Sequence, residues 1–139
     1  MKKLIILFLL IFTFGLINIS PTHASSLPIY DETYNNNQGA IYANGIPIIV
    51  SEEDGKTLVS WDGGSLTVPI SVTIFGGGNG GNFASSNIIM NGGTVQNLVG
   101  GGIGFTEENS SYVSNSKITI NSGIVTNAII GGGYFYSTV

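Results

Sequence analysis

An internal repeat constrains the fold of this chain more than any other feature. Residues 88–102 (IIMNGGTVQNLVGGG) recur as residues 118–133 (ITINSGIVTNAIIGGG) at an offset of 30, which becomes 31 at the glycines because Ile130 is extra. Residues 71–78 (SVTIFGGG) form an earlier, partial copy. Only the segment after each glycine triplet varies in length. Fixed strand-like segments joined by one variable loop are typical of a solenoid, in which strands stack in register and a solvent-facing loop can lengthen.

The composition favours strands over helices. Charged residues make up only 9% of the chain, Gly, Asn, Ser and Thr are abundant, and Val and Ile supply most of the apolar side chains. This mixture is too apolar for a disordered chain and too poor in Ala, Leu, Glu and Lys for a helical one. We therefore predict an all-β fold, a short right-handed parallel β-helix of about three coils with an N-terminal β-hairpin cap.

The repeat predicts which side chains face the interior, because alternate residues of a strand share one face. We expect each interior residue of one copy to lie beneath its counterpart in the next, so that Val99, for example, lies beneath Ile129. A carboxylate introduced there by Ile120→Asp is expected to abolish folding. The predicted interior residues are Ile88, Met90, Val95, Val99, Ile118, Ile120, Val125 and Ile129.

Two kinds of polar or small residue recur at matching positions. Asn97 matches Asn127, and Asn91 matches Asn121, so their side chains are predicted to hydrogen-bond between coils or to cap bends, with chance coincidence as the alternative. The glycine triplets are predicted to form a tight corner in each coil. Gly would be needed there for positive φ and for close approach of neighbouring backbone.

The segments around the repeat differ in character. Lys2 and Lys3, the apolar residues 4–17 and the polar residues 18–24 have the order of a secretory signal peptide, cleaved near Ala24. A retained membrane anchor is the alternative, although the apolar run is shorter than the roughly 20 residues that span a bilayer. Residues 25–40 are predicted to be a flexible arm, and residues 41–64 a hairpin cap with its turn at 51–56. Residues 65–139 would form the coils, with C-terminal truncation as a possibility because another turn normally follows a glycine triplet.

Charge and residue types exclude several functions. Two of the four basic residues lie in the predicted leader, which leaves two cations against eight carboxylates and a net charge of −6. Nucleic acid and, after leader removal, membranes are therefore poor partners. The chain has no cysteine, so it has neither a disulfide framework nor a thiolate metal site.

The sequence offers little for catalysis or metal binding. After residue 24 there is no Arg or His, and the remaining acid–base candidates are Asp62 with Lys56 or Lys117. Asp62 stands in a WDGG turn, where Asp commonly makes local hydrogen bonds. Residues 77–82 (GGNGGN) resemble one unit of a calcium-binding β-roll, but Asn82 replaces the carboxylate. We predict no enzymatic activity, no cofactor and no metal.

The candidate binding residues lie in the longest inter-coil loop and near the C-terminus. That loop carries acid, amide and aromatic groups together, and loops on rigid scaffolds often carry function. The C-terminal aromatic rings could cap the last coil, stack on sugars or meet a second copy of the chain. The predicted partners are an extracellular glycan or a host or cell-surface protein. The candidate residues are Glu107, Glu108, Asn109, Tyr112, Tyr134 and Tyr136.

Four segments resemble predicted secreted repeat proteins of Gram-positive bacteria: residues 41–48 (IYANGIPI), 61–64 (WDGG), 72–78 (VTIFGGG) and 93–102 (GTVQNLVGGG). Such proteins look like adhesin-type β-helices, which share the coil architecture of pectate lyases without necessarily sharing lyase chemistry. The resemblance implies the fold and a secreted or cell-surface setting. The expected function is a non-enzymatic structural or adhesive module that presents inter-coil loops. The alternatives are a self-assembling, fibre-forming subunit joined through an open solenoid end, and a fragment of a polysaccharide-active enzyme.

Overall fold

The computed structural model describes residues 27–135 and 137–138, which are mostly strands. The predicted signal peptide and Tyr136 lie outside the described residues. One four-residue helical segment, α1 (Tyr34–Asn37), lies near the start of the described chain. The strands are β1 (Ile29–Asp31), β2 (Ala40–Tyr42), β3 (Ile48–Glu53), β4 (Lys56–Trp61), β5 (Gly64–Val68), β6 (Thr73–Phe75), β7 (Gly81–Phe83), β8 (Ser86–Val99), β9 (Ile103–Gly104), β10 (Ser111–Val113), β11 (Ser116–Ile130), β12 (Tyr134–Phe135) and β13 (Ser137–Thr138).

Parallel pairing between successive coils confirms the predicted β-solenoid of about three turns. The two long strands β8 and β11 stack on each other, with Ile118 opposite Ile88. The first half of β8 also pairs with β3, and its second half pairs with β6, which in turn pairs with β2. The short strands stack in the same way, β10 between β7 and β13, and β12 on β9. The repeat in the sequence is therefore a repeat of coils.

The interior of the solenoid is apolar. β8 bends at Gly93, whose φ of +82° is a conformation that Gly adopts readily. The bend turns both halves of the strand toward one core, in which Ile88, Met90, Val95 and Leu98 are fully buried. Each such side chain contributes about 1.5–3 kcal/mol through burial, so this column is a main source of stability.

The predicted interior position of Val99 is wrong, and so is its pairing with Ile129. Leu98 occupies the interior, whereas Val99 belongs to a second cluster on the outer face of the strands. Ile129 pairs with Leu98, and Ile130 pairs with Val99. The reason lies in β8 itself: Val95 and Leu98 both face the core although they are three residues apart, and the backbone N–H groups of Gln96 and Asn97 both donate to the carbonyl oxygen of Val72. The offset between β11 and β8 changes at the same place, from 30 at Val125 to 31 at Ala128, before the position where the sequence comparison placed the extra residue.

The last coil that the structure describes has an open end. Ile120 lies opposite Met90 as predicted, yet Ile120 is 41% exposed and Met90 is 0% exposed. Ile124 and Ile129, also on β11, are 59% and 56% exposed. Among the described residues, β11 pairs only with β8, so its side chains are covered from one side alone. This exposure removes the basis for expecting Ile120→Asp to abolish folding, because a carboxylate at that position can reach solvent.

The other end of the solenoid is covered by antiparallel strands. The structure contains the predicted hairpin as β3 and β4, joined by Asp54 and Gly55 with φ of +51° and +73°. A third strand, β5, which the sequence analysis missed, extends this hairpin into a meander. Val59 and Val68 of the meander are buried in the main core, which explains how it covers the coil interior.

The segment expected to be a flexible arm is ordered from residue 27 onward. β1 pairs antiparallel with β2, the first coil strand, so backbone hydrogen bonds hold the segment against the coils. The asparagines of α1 allow the chain to turn between these strands, because Asn35 and Asn36 adopt the left-handed conformation that Asn tolerates better than most residues.

The glycine triplets are explained by close packing and not by positive φ. The φ angles of Gly76 and Gly100 lie outside the left-handed region. Each donates a backbone hydrogen bond of 2.8 Å to the next coil, Gly76 to Val99 and Gly100 to Ile130. A Cβ at Gly76 would lie 2.5 Å from the carbonyl oxygen of Gly100. Neighbouring coils approach so closely at these corners that a side chain does not fit.

Candidate functional site

The candidate site is a groove on the outer face of the strand stack formed by β2, β6, β8 and β11. Because alternate residues point to opposite faces, these strands carry a second set of side chains outside the solenoid. One outer column is apolar and includes Tyr42, Phe75, Val99 and Ile130. The other is polar and includes Thr73, Asn97 and Asn127. The groove therefore combines aromatic and amide groups.

Aromatic rings form the base of the groove. The rings of Tyr42 and Phe75 stack with centroids 5.4 Å apart and an interplanar angle of 17°. The ring of Tyr34, on α1, lies edge-on to that of Phe75 at 5.8 Å and 80°. Both geometries are favourable for aromatic pairs. The chain segment before β2 is thereby held over the outer face of the coils.

A ladder of side-chain hydrogen bonds crosses the polar column. Asn127 Nδ2 donates to Asn97 Oδ1 at 2.7 Å, and Asn97 Nδ2 donates to Thr73 Oγ1 at 2.8 Å. The predicted pairing of Asn97 with Asn127 is confirmed. Three successive coils are joined through these side chains, which fixes the positions of their amides.

Two further asparagine pairs join coils elsewhere. Asn121 Nδ2 donates to Asn91 Oδ1 at 2.8 Å, which confirms the second predicted pair. Asn109 Nδ2 donates to Asn79 Oδ1 at 3.3 Å. The sequence analysis missed this third pair, although its residues are also 30 apart, because it treated both as loop residues. The offset of the repeat could have revealed it.

Two adjacent cavities occupy the groove, with volumes of about 180 Å³ and about 380 Å³. The larger lies within the range of ~300–1,000 Å³ that is common for small-molecule sites. Among the described residues, the lining of the smaller cavity contains no Asp, Glu, Lys or Arg, and the larger contains Asp31 alone of these types. Three residues line both cavities, so the two form one continuous groove: Tyr34, Asn35 and Tyr134.

The two phenols beneath the groove stay protonated at physiological pH. Burial raises the pKa of Tyr42 to about 12, with the nearby Asp31 and Tyr34 adding to the rise. Burial also raises the pKa of Tyr34, and Tyr134 adds to that rise. A protonated phenol can both donate and accept a hydrogen bond. The groove is therefore neutral and polar along most of its length.

The structure brings some of the predicted binding residues to this groove and not others. Tyr134 lines both cavities, and Asn109 is bonded to Asn79, which lines the larger one. Glu107 and Glu108 are exposed in the loop at residues 105–110, beside the groove, since Phe105 also lines the larger cavity. Tyr112 lies on β10, in a different strand stack. Tyr136 lies outside the described residues.

Several groove residues escaped the sequence analysis. Tyr34 and Asn35 belonged to the supposed flexible arm, and Tyr42 to the supposed hairpin cap. Phe75 and Gln96 were not singled out. The sequence could have indicated the outer position of Phe75. It follows Ile74 directly, and neighbouring residues of a strand lie on opposite faces, so an inward Ile74 places Phe75 on the outer face of β6.

The acid–base candidates do not converge. Asp62 lies in the exposed turn between β4 and β5 and lines a third cavity, of about 470 Å³, in which it is the only titratable residue among those described. Within the described ranges, no three Asp, Glu, His or Cys residues are close enough to hold a metal ion together.

No helix in this part of the chain has the length and apolar character needed to cross a membrane.

Comparisons with protein-family models, with curated proteins and with solved structures find no match for this chain. The fold is therefore assigned from the strand pairing described above. The resemblance to adhesin-like repeat proteins of Gram-positive bacteria stays a prediction.

Proposed function

We propose that this chain is a non-enzymatic structural or adhesive solenoid of the cell exterior, which presents inter-coil loops on a rigid stack of coils. The signal-like N-terminus and the resemblance to secreted, adhesin-like repeat proteins of Gram-positive bacteria support the setting. The observation that carries the proposal is the loop at residues 105–110, which is exposed throughout and joins the buried strand β9 to β10, in which Ser111 and Val113 are buried. Loops of this kind are a common location of binding sites.

The conformation of the loop is fixed locally. The backbone N–H of Asn109 donates to the backbone carbonyl of Thr106 at 3.2 Å and to Thr106 Oγ1 at 3.1 Å. The side chain of Asn109 is bonded to Asn79 on the previous coil. Glu107 and Glu108 therefore project into solvent from a short, tied loop. A pre-ordered loop loses little entropy on binding, which favours recognition of a surface partner.

Loss of the two loop carboxylates is expected to weaken adhesion. The full chain is expressed with its own leader, the exported protein is immobilised on beads, and attachment to host-cell and extracellular-matrix surfaces is counted. We expect the variant Glu107→Ala/Glu108→Ala to attach about tenfold less, the equivalent of ~1.4 kcal/mol. The variant Glu52→Ala/Glu53→Ala, which removes the same charge from the distant hairpin, should match the parent. Failure of the parent to attach to any surface would falsify the adhesive role.

Self-assembly is the second candidate, and one specific feature favours it. The last described coil exposes Ile120, Ile124 and Ile129, and the outer edge of β11 has no partner strand among the described residues. Exposed strand edges with apolar side chains are sites of chain association. At the opposite end, β1 and β4 pair with the coil strands β2 and β3. A head-to-tail fibre would have to add β11 of a second chain onto these covered strands, so a closed pair joined through β11 by a two-fold axis fits this geometry better.

Sedimentation across a range of concentrations tests this candidate. We expect the mass of two chains, without growth to larger species and without thioflavin binding. The variant Ile124→Lys/Ile129→Lys should be monomeric, whereas Ile49→Lys, on an exposed position of β3, should behave as the parent does. A parent that stays monomeric at high concentration would exclude assembly, and continued growth in mass would point to a fibre.

A further inference from the structure

We infer that the groove over β2, β6, β8 and β11 binds a neutral glycan chain. This inference rests on the proposed adhesive role and deepens it by naming a ligand class and a site. The site differs from the acidic loop, which lies at the edge of the groove. Four features of the groove carry the inference: its amides, its aromatic rings, its charge and its length.

The polar groups of the groove suit hydroxyl groups. A sugar hydroxyl both donates and accepts hydrogen bonds, and a side-chain amide offers two N–H donors beside a carbonyl acceptor. The ladder bonds use one N–H of Asn97 and one of Asn127, and each amide has a second. Gln96 also lines the smaller cavity, and its buried Oε1 has no hydrogen-bond partner among the described residues. An unsatisfied buried acceptor is unfavourable, and a ligand hydroxyl that reached it would relieve that cost.

The aromatic groups of the groove suit the apolar faces of sugar rings. Tyr34 and Tyr134 line both cavities, and the side chain of Tyr134 is 41% exposed. An aromatic ring offers a flat, partly negative face against which the C–H groups of a sugar can pack. Amide groups beside aromatic rings are the combination that a ligand with hydroxyl edges and C–H faces requires.

The charge of the groove points to a neutral ligand. The smaller cavity has an uncharged lining, and Asp31 contributes the one carboxylate of the larger. The whole chain is also acidic, with a net charge of −4. An anionic polysaccharide would therefore meet repulsion, and the described lining residues offer no cation to offset it.

The length of the groove points to a chain and not to a single sugar. Thr73, Asn97 and Asn127 lie on successive coils, and neighbouring strands are about 4.7–4.9 Å apart. This spacing is close to the length of one unit in an extended, β-linked sugar chain. The ladder thus presents polar groups at intervals that match successive units, and the larger cavity adjoins the smaller one through Tyr34, Asn35 and Tyr134.

The test measures binding of defined oligosaccharides to the full exported chain by calorimetry. The probes are the neutral hexamers of β-linked glucose, N-acetylglucosamine and xylose, with oligogalacturonate as the anionic comparison. We expect at least one neutral hexamer to bind and to do so more tightly than its own dimer. Binding to oligogalacturonate alone, or to none of the probes, would overturn the inference.

Two matched pairs of variants locate the site. Asn127→Ala should weaken binding about tenfold, whereas Asn121→Ala, which removes the same kind of ladder bond from the same strand outside the groove, should leave it unchanged. Tyr134→Ala should also weaken binding, and Tyr112→Ala, which removes a similarly exposed ring from another strand stack, should not. Equal losses within either pair would place the binding elsewhere. Circular dichroism checks that each variant is folded. If a variant of one pair is unfolded, the other pair is used to decide whether the ligand binds in the groove.

The bead assay separates failure of this inference from failure of the adhesive proposal. Attachment that depends on Glu107 and Glu108 without binding of any oligosaccharide would overturn the glycan groove and leave the adhesive role in place. Oligosaccharide binding without attachment to any surface would overturn the adhesive role and leave the glycan groove in place.

Discussion

Met90→Asp is expected to abolish folding, whereas Ile120→Asp, one coil further along the same column, is expected to leave the solenoid folded. Met90 is 0% exposed and lies between the strands of neighbouring coils, so its replacement would bury a carboxylate without a partner. Such a substitution costs more than about 4 kcal/mol, a large part of the stability of a domain of this size. At Ile120 the carboxylate would be hydrated at the open end, with a cost of about 1 kcal/mol.

Urea unfolding followed by circular dichroism measures both variants against the parent. Because Met90 and Ile120 are paired across β8 and β11 and receive the same substitution, the difference in stability between the two variants reports how deeply each position is buried. If Ile120→Asp unfolded the chain as completely as Met90→Asp, then the end of the solenoid at β11 would not be open. If both variants remained stable, the stacking of these strands would be wrong.

Gly100→Ala is expected to lower the free energy of unfolding by about 3 kcal/mol, while Gly131→Ala should leave it unchanged or raise it slightly. A Cβ on Gly100 would lie 2.5 Å from the carbonyl oxygen of Gly131 and would also collide with Ser116 Oγ. The backbone cannot move away without breaking the 2.8 Å hydrogen bond from Gly100 to Ile130. At Gly131, the equivalent position one coil later, a Cβ would meet no atom within 4 Å.

Thermal and urea unfolding of the two alanine variants provide the measurement. Both replacements reduce the freedom of the unfolded chain by similar amounts, so the difference between them reports the contact between coils. A stable Gly100→Ala variant would show that the corners are not closely packed. A Gly131→Ala variant as unstable as Gly100→Ala would show that another coil already covers this end.

The proposed loop and groove can act separately because they depend on different parts of one coil. The loop at residues 105–110 is the segment whose length varies between copies, so it can change without disturbing the stacked strands. The groove is formed by the outward side chains of strands whose inward side chains form the core. A substitution on the outer face, such as Asn127→Ala, therefore tests binding without removing an interior side chain.

The sequence alone determined the coil architecture, because a repeat of apolar, Asn and Gly positions at an offset of 30 is satisfied by stacked parallel strands. It also determined the partners of Ile88, Met90, Val95, Asn91 and Asn97, since a shared register needs only the offset. These features are local patterns repeated at a fixed interval. No knowledge of the surrounding structure is needed to read them.

The tertiary structure alone decided where the pattern breaks. A break in the alternation of β8 between Val95 and Leu98 put Val99 outside the core, and the change of offset before Ala128 paired Ile129 with Leu98. An extra residue can be absorbed at any point of a strand at similar local cost, so the sequence does not show where this happens. The exposure of Ile120 depended on whether a further strand lies beside β11, and none does among the described residues; the residues around Ile120 do not encode this. The groove arose because Tyr34, Phe75 and Tyr134, which are far apart in the chain, meet where separate coils pack together. Such contacts between coils follow from three-dimensional packing, which a linear repeat does not encode.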